Sequence, residues 1–252
     1  MARRINSDTQ IKAMRESGKI LGLILAKLKT ETEAGMSGLD ISSIAKKEVK
    51  AYGAEAPFLN YQGFPDIICI SVNDQVQHCI PNNIKLESGD LVNLDFGIKW
   101  DGMITDSGLT FVLQSEPNPD QLRLLEGTEA ALNAAIAMVK NGARIKKISK
   151  KIEATLKSYN LGIVRDLVGH GVGIELHEEP EIPNYYIPGY DYTLKTGMTI
   201  AIEPITTLGR EEIKFSKNGW DIYTTDGSLS AQFEHTLLVL DNGCEVLTAR
   251  LG

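Results

Sequence analysis

The sequence VNLDFGIKWDGMITDSG, residues 92 to 108, predicts a β-hairpin with one aspartate in each strand. Its turn signal is Asp101-Gly102, because both residues accept the left-handed backbone of a tight hairpin. A hairpin centred there puts Asp95 opposite or diagonal to Asp106, on the same face, because strand side chains alternate with period two. Two carboxylates on an apolar face repel each other and lose solvation on burial. The hairpin therefore predicts a missing positive partner.

Two more acids occur in apolar strand patterns further along the chain. Glu203 lies in TIAIEPIT and Glu234 in AQFEHTLLVL, which places four acids on four predicted strands. His170 lies in VGHGVG, a glycine-flanked turn where the backbone can approach a ligand closely. Hard oxygen donors with one imidazole and no thiolate disfavour a structural zinc site. The set suits manganese, iron(II), cobalt or magnesium in a two-metal site.

The chain has four histidines, and a single histidine is usually a structural residue. His78 follows NDQVQ, His177 opens HEEP, and His235 directly follows Glu234. Their combination with the four embedded acids favours a functional interpretation over four separate structural ones.

The composition limits the class of protein. With 252 residues, 42% hydrophobic and 23% charged, the chain is an ordinary globular protein. A net charge of −7 argues against nucleic acid as the main partner. The lysines of RIKKISKK, residues 144 to 151, predict a solvated helix face, with docking on an acidic partner as the alternative.

The cysteines and the hydrophobic runs predict a cellular location. Cys69, Cys79 and Cys244 are far apart and lack CxxC spacing, which indicates neither a disulfide framework nor a zinc knuckle. The start MARR is not followed by a signal-peptide pattern, and no stretch approaches the ~20 apolar residues of a membrane span. We therefore expect a cytoplasmic protein without a membrane partner.

The predicted elements occur in a repeated order of two helices followed by strands. Helices are predicted at 8–31, 38–52, 119–140 and 145–159, and strands at 66–73, 90–98, 103–113, 162–169, 198–206 and 231–240. SGDLVNLD and TGMTIAIE each place an acid six residues after a glycine. We expect one domain, 1–252, with two related halves, 8–115 and 118–248, packed back to back. Chance similarity between amphipathic segments is the alternative.

Five motifs in order match a known family: CISVNDQVQHCIP, GDLVNLDFGIKWDGMITDSG, GHGVGIELHEEPEIPNY, GMTIAIEPI and SLSAQFEHTLLV. The chain resembles the type I (bacterial-type) methionine aminopeptidases, pita-bread metallopeptidases, from about residue 5 to its C-terminus. The resemblance implies an α+β fold with two pseudo-symmetric halves, their central antiparallel sheets covered by helices on the outside. It also implies the short form, without an N-terminal zinc-binding extension or the helical insertion of the type II enzymes.

The resemblance implies two divalent metal ions per chain, manganese, iron(II), cobalt or zinc. Their ligands would be Asp95, Asp106, His170, Glu203 and Glu234, of which Asp106 and Glu234 would bridge both ions. His78 and His177 match the family's two active-site histidines that are not ligands. His235 matches no catalytic role.

The implied activity is removal of the N-terminal methionine from nascent proteins and peptides whose second residue is small. A metal-activated hydroxide would attack the first peptide bond. His177 would stabilise the oxyanion, Glu203 would move a proton to the leaving amine, and His78 would contact the substrate on its C-terminal side.

The resemblance also implies a substrate pocket for an unbranched thioether. The matching positions are Phe58, Tyr61, Phe64, Cys69, Leu176 and Trp220, each of which could equally be plain core. The sequence departs from the common bacterial pattern in three places. Leu176 stands where phenylalanine is usual, Gln62 where histidine is frequent, and Phe58 where a smaller residue is found. These changes bear on the shape of the pocket and on the tolerated second residue, and a mismatch worth ~1–3 kcal/mol need not change the substrate class.

Two other functions remain open from the sequence. A relative of the same fold cleaves before proline or acts on a small amide, but usually carries an additional N-terminal domain. A catalytically inactive relative would serve as a binding module, and such proteins typically lose metal ligands. We expect nascent polypeptide N-termini as the partner, a monomeric protein, and at most a transient contact with the ribosome.

Overall fold

The computed structural model describes residues 5 and 7–250. Within them the chain forms four α-helices: α1 (Asp8–Glu31), α2 (Gly38–Ala51), α3 (Pro119–Ile136) and α4 (Ile145–Ser158). The strands are β1 (Cys69–Val72), β2 (Gln75–Gln77), β3 (Leu91–Trp100), β4 (Met103–Val112), β5 (Gly162–Ile163), β6 (Gly169–Gly171), β7 (Glu178–Ile182), β8 (Thr199–Ile202), β9 (Ile205–Thr207), β10 (Ile213–Phe215), β11 (Ile222–Thr224), β12 (Ser230–Gln232), β13 (His235–Leu240) and β14 (Gly243–Val246).

Three of the helices begin at side-chain caps that the sequence displays. The Ser7 hydroxyl accepts from the Gln10 amide at the start of α1. Ser37 with Asp40, and Asn118 with Gln121, form capping boxes at α2 and α3. Each cap satisfies amide groups that the first helical turn leaves without an intrahelical partner, so the helix begins at a defined residue.

Within the described part of the chain, the strands form four antiparallel sheets. One sheet has the order β1-β3-β4 and another the order β14-β13-β8-β6-β7. Two smaller sheets have the orders β10-β11-β2 and β12-β9-β5. β4 meets both β12 and β13, which brings the first sheet against the second half of the chain. The predicted α+β class with antiparallel sheets is confirmed.

The two halves make matching backbone contacts. The Gly35 amide donates to the Leu86 carbonyl at 2.8 Å before α2, and the Gly142 amide donates to the Leu194 carbonyl at 2.9 Å before α4. Helices α2 and α4 are both 14 residues long. Each half thus ties the start of its second helix to the strand region that follows.

The helices cover the sheets, and the C-terminal segment lies along α1. An apolar stripe of α1 is fully buried against β3 and β4, and its burial removes apolar surface from water. A Cβ at Gly18 would overlap the Leu247 carbonyl, and one at Gly22 would lie 2.7 Å from the Ala249 oxygen. Gly18 and Gly22 therefore allow the backbone of the C-terminal segment, residues 247 to 250, to pack directly against α1.

Two local predictions can be compared with the structure. The helix predicted over 119–140 ends at Ile136, because the amides of Met138 and Val139 turn back to carbonyls three residues earlier. Lys147, Lys150 and Lys151 are exposed, so the basic face of α4 lies on the surface of the molecule. Among the described residues, no helix has both the length and the apolar character needed to cross a membrane.

Candidate metal centre and active site

The predicted hairpin is present, and it places its two aspartates on one face. Asp95 pairs with Gly108, and Gly97 pairs with Asp106, so the carboxylates are diagonal neighbours across β3 and β4. The turn residues Asp101 and Gly102 have φ of 45° and 79°, the left-handed backbone expected for a two-residue hairpin loop. Both aspartates are buried.

The two glutamates lie in breaks between strands, so the prediction that all four acids lie within strands is wrong for this pair. Glu203 stands between β8 and β9, where Pro204 has no amide to continue the ladder. Glu234 stands between β12 and β13. His235 pairs with Ile202, which places the two breaks side by side. The interruptions free both carboxylates to turn toward the hairpin.

His170 reaches the same place from β6. This strand pairs with β8 through His170 and Ala201. The Nδ1 atom lies 2.9 Å from the Gly171 carbonyl, which can only accept, so Nδ1 carries the proton and Nε2 has the free lone pair. Nε2 lies 3.5 Å from a Glu203 oxygen and 4.0 Å from an Asp106 oxygen. The imidazole therefore presents its ligand atom to the acids.

These residues fit divalent metal ions. Ligand atoms of Asp106, His170 and Glu234 all lie within 4.8 Å of one another. Asp95 Oδ1, Asp106 Oδ1 and Glu234 Oε1 are buried and have no hydrogen-bond partner among the described residues. Unpaired buried carboxylate oxygens are costly unless a cation neutralises them. The chemistry of the set, hard oxygens and one imidazole, also suits divalent ions.

The ionisation of the acids without metal leads to the same conclusion. Burial raises the pKa of Asp106 to about 7, and it raises the pKa of Asp95 well above its usual value, with the Asp106 charge adding to the effect. Burial and then the neighbouring carboxylates raise the pKa of Glu203 and of Glu234 in the same direction. Four like charges in one dry pocket disfavour ionisation, and bound cations would reverse that preference.

The acids and His170 form the floor of a cavity of about 390 Å³. His78 and His177 line it as well. The His177 Nδ1 and the Tyr61 hydroxyl are hydrogen-bonded at 2.8 Å, and the His177 ring centroid lies 4.2 Å from that of His170. Burial, and next the charge of His177, lowers the pKa of His78 to about 4. Two neutral imidazoles thus stand beside the candidate ligands.

The six predicted pocket residues all line this cavity, namely Phe58, Tyr61, Phe64, Cys69, Leu176 and Trp220. The Phe64 ring makes edge-to-face contacts with Phe58 and Trp220, with ring centroids 6.5 Å and 5.1 Å apart respectively. Phe58, Phe64, Cys69 and Leu176 are also part of the main hydrophobic core. The cavity wall is therefore one edge of the core, and the role of these residues in binding substrate stays a prediction.

The model of metallopeptidase family M24 matches residues 12–241. The chain belongs to metallopeptidase family M24. A methionine aminopeptidase from Mycoplasma capricolum is 40% identical over 244 residues, which are 97% of this chain and 97% of the relative. The crystal structure of the methionine aminopeptidase from Thermotoga maritima has a TM-score of 0.94 at 36% identity and covers 98% of this chain and 99% of its own. The resemblance inferred from the five motifs, including the pita-bread fold, is confirmed.

A second M24 activity is found among more distant structures. A prolidase from Pyrococcus furiosus has a TM-score of 0.81 at 25% identity. It covers 99% of this chain, but the match spans only 66% of the prolidase. The fold is thus shared by enzymes with different substrates, and the cavity wall has to distinguish between them.

Two further side chains contact the candidate ligands in this M24 chain. The Gln77 amide donates to Asp95 Oδ2 at 2.5 Å, and the Gln232 amide donates to Glu234 Oε2 at 3.2 Å. Both glutamines are fully buried. Both strands are short and largely polar in sequence, Gln-Val-Gln and Ser-Ala-Gln, so their composition does not indicate that these glutamines are buried. His235 lies outside the cavity, with its Nδ1 atom 2.9 Å from the Thr248 hydroxyl.

Arg250 links two chain segments of the candidate metal centre, the part of β4 that follows Asp106 and the break that contains Glu234. Its Nη2 atom donates to the Gly108 carbonyl at 2.6 Å and to the Glu234 carbonyl at 3.0 Å. The Glu234 amide in turn donates to the Gly108 carbonyl at 2.9 Å. The guanidinium therefore fixes the backbone that carries Glu234 against the strand that carries Asp106.

Replacing Arg250 with methionine is expected to lower the free energy of unfolding of the chelated protein by about 2–4 kcal/mol, because two charge-assisted hydrogen bonds to buried carbonyls are lost. Urea denaturation measures the change. Arg15→Met removes an exposed pair with Glu245 and should cost less than about 1 kcal/mol. Equal losses for the two variants would show that Arg250 contributes no more than a surface arginine.

Proposed function

We propose that the protein is a metal-dependent methionine aminopeptidase that removes the N-terminal methionine from peptides whose second residue is small. The observation that carries the proposal is the convergence of four buried acids and His170 on the floor of a cavity with an apolar wall. The near full-length match to methionine aminopeptidases supports it. Neither a core nor a simple binding surface accounts for unpaired buried carboxylate oxygens.

The proposed ligands are Asp95, Asp106, His170, Glu203 and Glu234, and we assign two divalent ions to them. Manganese, iron(II), cobalt and zinc are the candidates for the metal used in the cell. When bound, such ions polarise the scissile carbonyl and lower the pKa of water by several units. The residues of the chain hold the substrate and move the protons.

Glu203 is the proposed proton carrier. It stands in the break after β8, with one oxygen near the His170 Nε2 atom, and its carbonyl accepts from the Asn184 side chain at 3.0 Å. A carboxylate at this position can accept a proton at the attacking oxygen and return it to the leaving amine. The break between β8 and β9 lets the Glu203 side chain face the cavity, and the hydrogen bond from Asn184 fixes the Glu203 backbone.

His177 and His78 are proposed to act on the reacting peptide. The Tyr61 hydroxyl can donate to His177 Nδ1, which leaves Nε2–H to donate to the oxyanion. His78 lines the same cavity and is assigned to the substrate on the C-terminal side of the scissile bond. The apolar wall around Phe64 and Leu176 excludes water from the side chain of the substrate's first residue. The lower local dielectric strengthens the polar contacts of His177 and His78 with the substrate.

Peptide hydrolysis tests the proposal directly. The purified chain, loaded with manganese or cobalt, should release methionine from Met-Ala-Ser and leave Ala-Pro peptides intact. Preferential cleavage of the Ala-Pro peptide would assign the prolidase-like activity instead. No turnover with any divalent ion would indicate a binding module.

Leu176 is buried in the wall of the cavity, where we expect it to contact the side chain of the substrate's first residue. Leu176→Phe should raise the ratio of kcat/KM for methionine over norleucine by about two- to tenfold, since a ring adds a sulfur–aromatic contact that norleucine cannot make. Peptides that differ only in this residue provide the measurement. Leu176→Ile, which adds no ring, is the control, and metal content should not change. An unchanged ratio in Leu176→Phe would leave the position as core.

The wider context is proposed on the same basis. We assign the whole chain, 1–252, to one catalytic domain with structural repeats at 8–115 and 118–248, supported by the matching contacts before α2 and α4. The partners would be N-termini of nascent polypeptides in the cytoplasm, met by a monomeric enzyme with at most a transient ribosome contact.

A further inference from the structure

Phe215 is a large apolar side chain at the mouth of the cavity, and 64% of it is exposed. It is the last residue of β10, and because side chains alternate, it shares a face with Ile213. Ile213 packs against a small buried cluster that includes Val76 and Ile205. Phe215 is therefore the uncovered end of an apolar face that begins in the interior.

The segment that carries Phe215 is held in place on both sides. Phe215 pairs with Ile222 of β11, and the Ser216 amide donates to the Asp221 carbonyl at 2.8 Å, which closes the hairpin. Trp220, in the same hairpin, contacts Phe64 of the cavity wall, with the two ring centroids 5.1 Å apart. The exposure of Phe215 is therefore imposed by a paired hairpin that is docked on the cavity wall.

The course of a substrate explains why an apolar ring at this position matters. The reacting peptide bond must reach the candidate ligands on the floor, so every residue after the second has to leave through the mouth. An extended peptide advances about 3.3 Å per residue, so the residues that directly follow the second are the first to pass the rim. Exposed apolar side chains that continue a binding cavity commonly contact the ligand.

We infer that Phe215 forms a subsite for an apolar side chain at the third or fourth residue of the substrate peptide. The inference rests on the proposed function and extends it from the first two residues to the polypeptide that follows them. The occupant is the substrate itself, because the ring is continuous with the catalytic cavity rather than with another surface of the molecule.

Kinetics on a peptide series tests the subsite. The series starts from Met-Ala-Gly-Gly-Gly and carries one leucine at the third, fourth or fifth position. The parent enzyme should prefer leucine over glycine at the third or fourth position by about fivefold in kcat/KM, the size expected for partial burial of two apolar side chains. Phe215→Ser should abolish that preference, and Phe215→Leu should retain part of it.

The controls separate this subsite from the proposed activity. Turnover of Met-Ala-Gly-Gly-Gly itself reports the aminopeptidase activity, and the leucine preference of each variant is expressed as a ratio to that variant's own turnover of this peptide. Ile84→Ala removes an apolar residue that is 73% exposed and does not line the catalytic cavity, and it should keep the parent preference. The subsite is refuted if the active parent shows no leucine preference at positions three and four, or if Phe215→Ser keeps it.

Discussion

Asp106→Asn is expected to reduce turnover of Met-Ala-Ser to below about a thousandth of the parent rate and to lower metal occupancy. Asparagine keeps the shape of the side chain but removes the charge that faces His170 Nε2 and Glu234 in the cluster. Elemental analysis of protein dialysed against manganese measures occupancy beside the kinetics. Asp101→Asn removes the same charge from the exposed turn of the same hairpin and should alter neither quantity.

The same substitution should stabilise the protein when metal is removed. In the metal-free protein, burial raises the pKa of Asp106 from 3.8 to about 7. A carboxyl whose pKa is raised on folding favours the fold while protonated, and that contribution is lost as the pH rises through the folded-state pKa. Chelated Asp106→Asn should therefore melt above the chelated parent at pH 8. A lower melting temperature would contradict the raised pKa of Asp106, and full metal occupancy would contradict its role as a ligand.

The sequence predicted the parts of the site that local rules determine. The Asp-Gly turn and the alternation of side chains were enough to place Asp95 and Asp106 on one face. The embedded acids stood out because an ionised side chain in an apolar strand needs a partner. In each case the information lies within a few residues of the feature.

The remaining parts depend on distant segments. Glu203 and Glu234 were assigned to strands because their neighbours are apolar, whereas the breaks become visible only when β8 lies beside β13. Arg250 acts on Gly108 from far along the chain, which no local pattern reports. The sequence around Phe215 is typical of a strand, and only the folded structure shows that no neighbouring element covers its ring at the cavity mouth. Tertiary contacts, rather than propensity, decided these positions.

His177→Ala is expected to lower kcat for Met-Ala-Ser by about 10²-fold or more while leaving metal content intact. The ring lies beside His170, at 4.2 Å between centroids, but Tyr61 holds its Nδ1 atom. The hydrogen that Nε2 then carries is available to an oxyanion and unsuited to a cation. Because that interaction forms mainly in the transition state, KM should change much less than kcat.

Tyr61→Phe is the matched variant, since it removes the hydroxyl that orients His177 and keeps the aromatic wall of the cavity. A roughly tenfold loss in kcat is expected, in the range of other residues that act by orienting a functional group. If His177 only packed against His170, the two variants would alter kcat little, and stability would be the quantity that changes. If His177 were instead a ligand, His177→Ala would lower metal occupancy along with kcat. An intact metal content with a selective fall in kcat is the result that assigns His177 to the oxyanion.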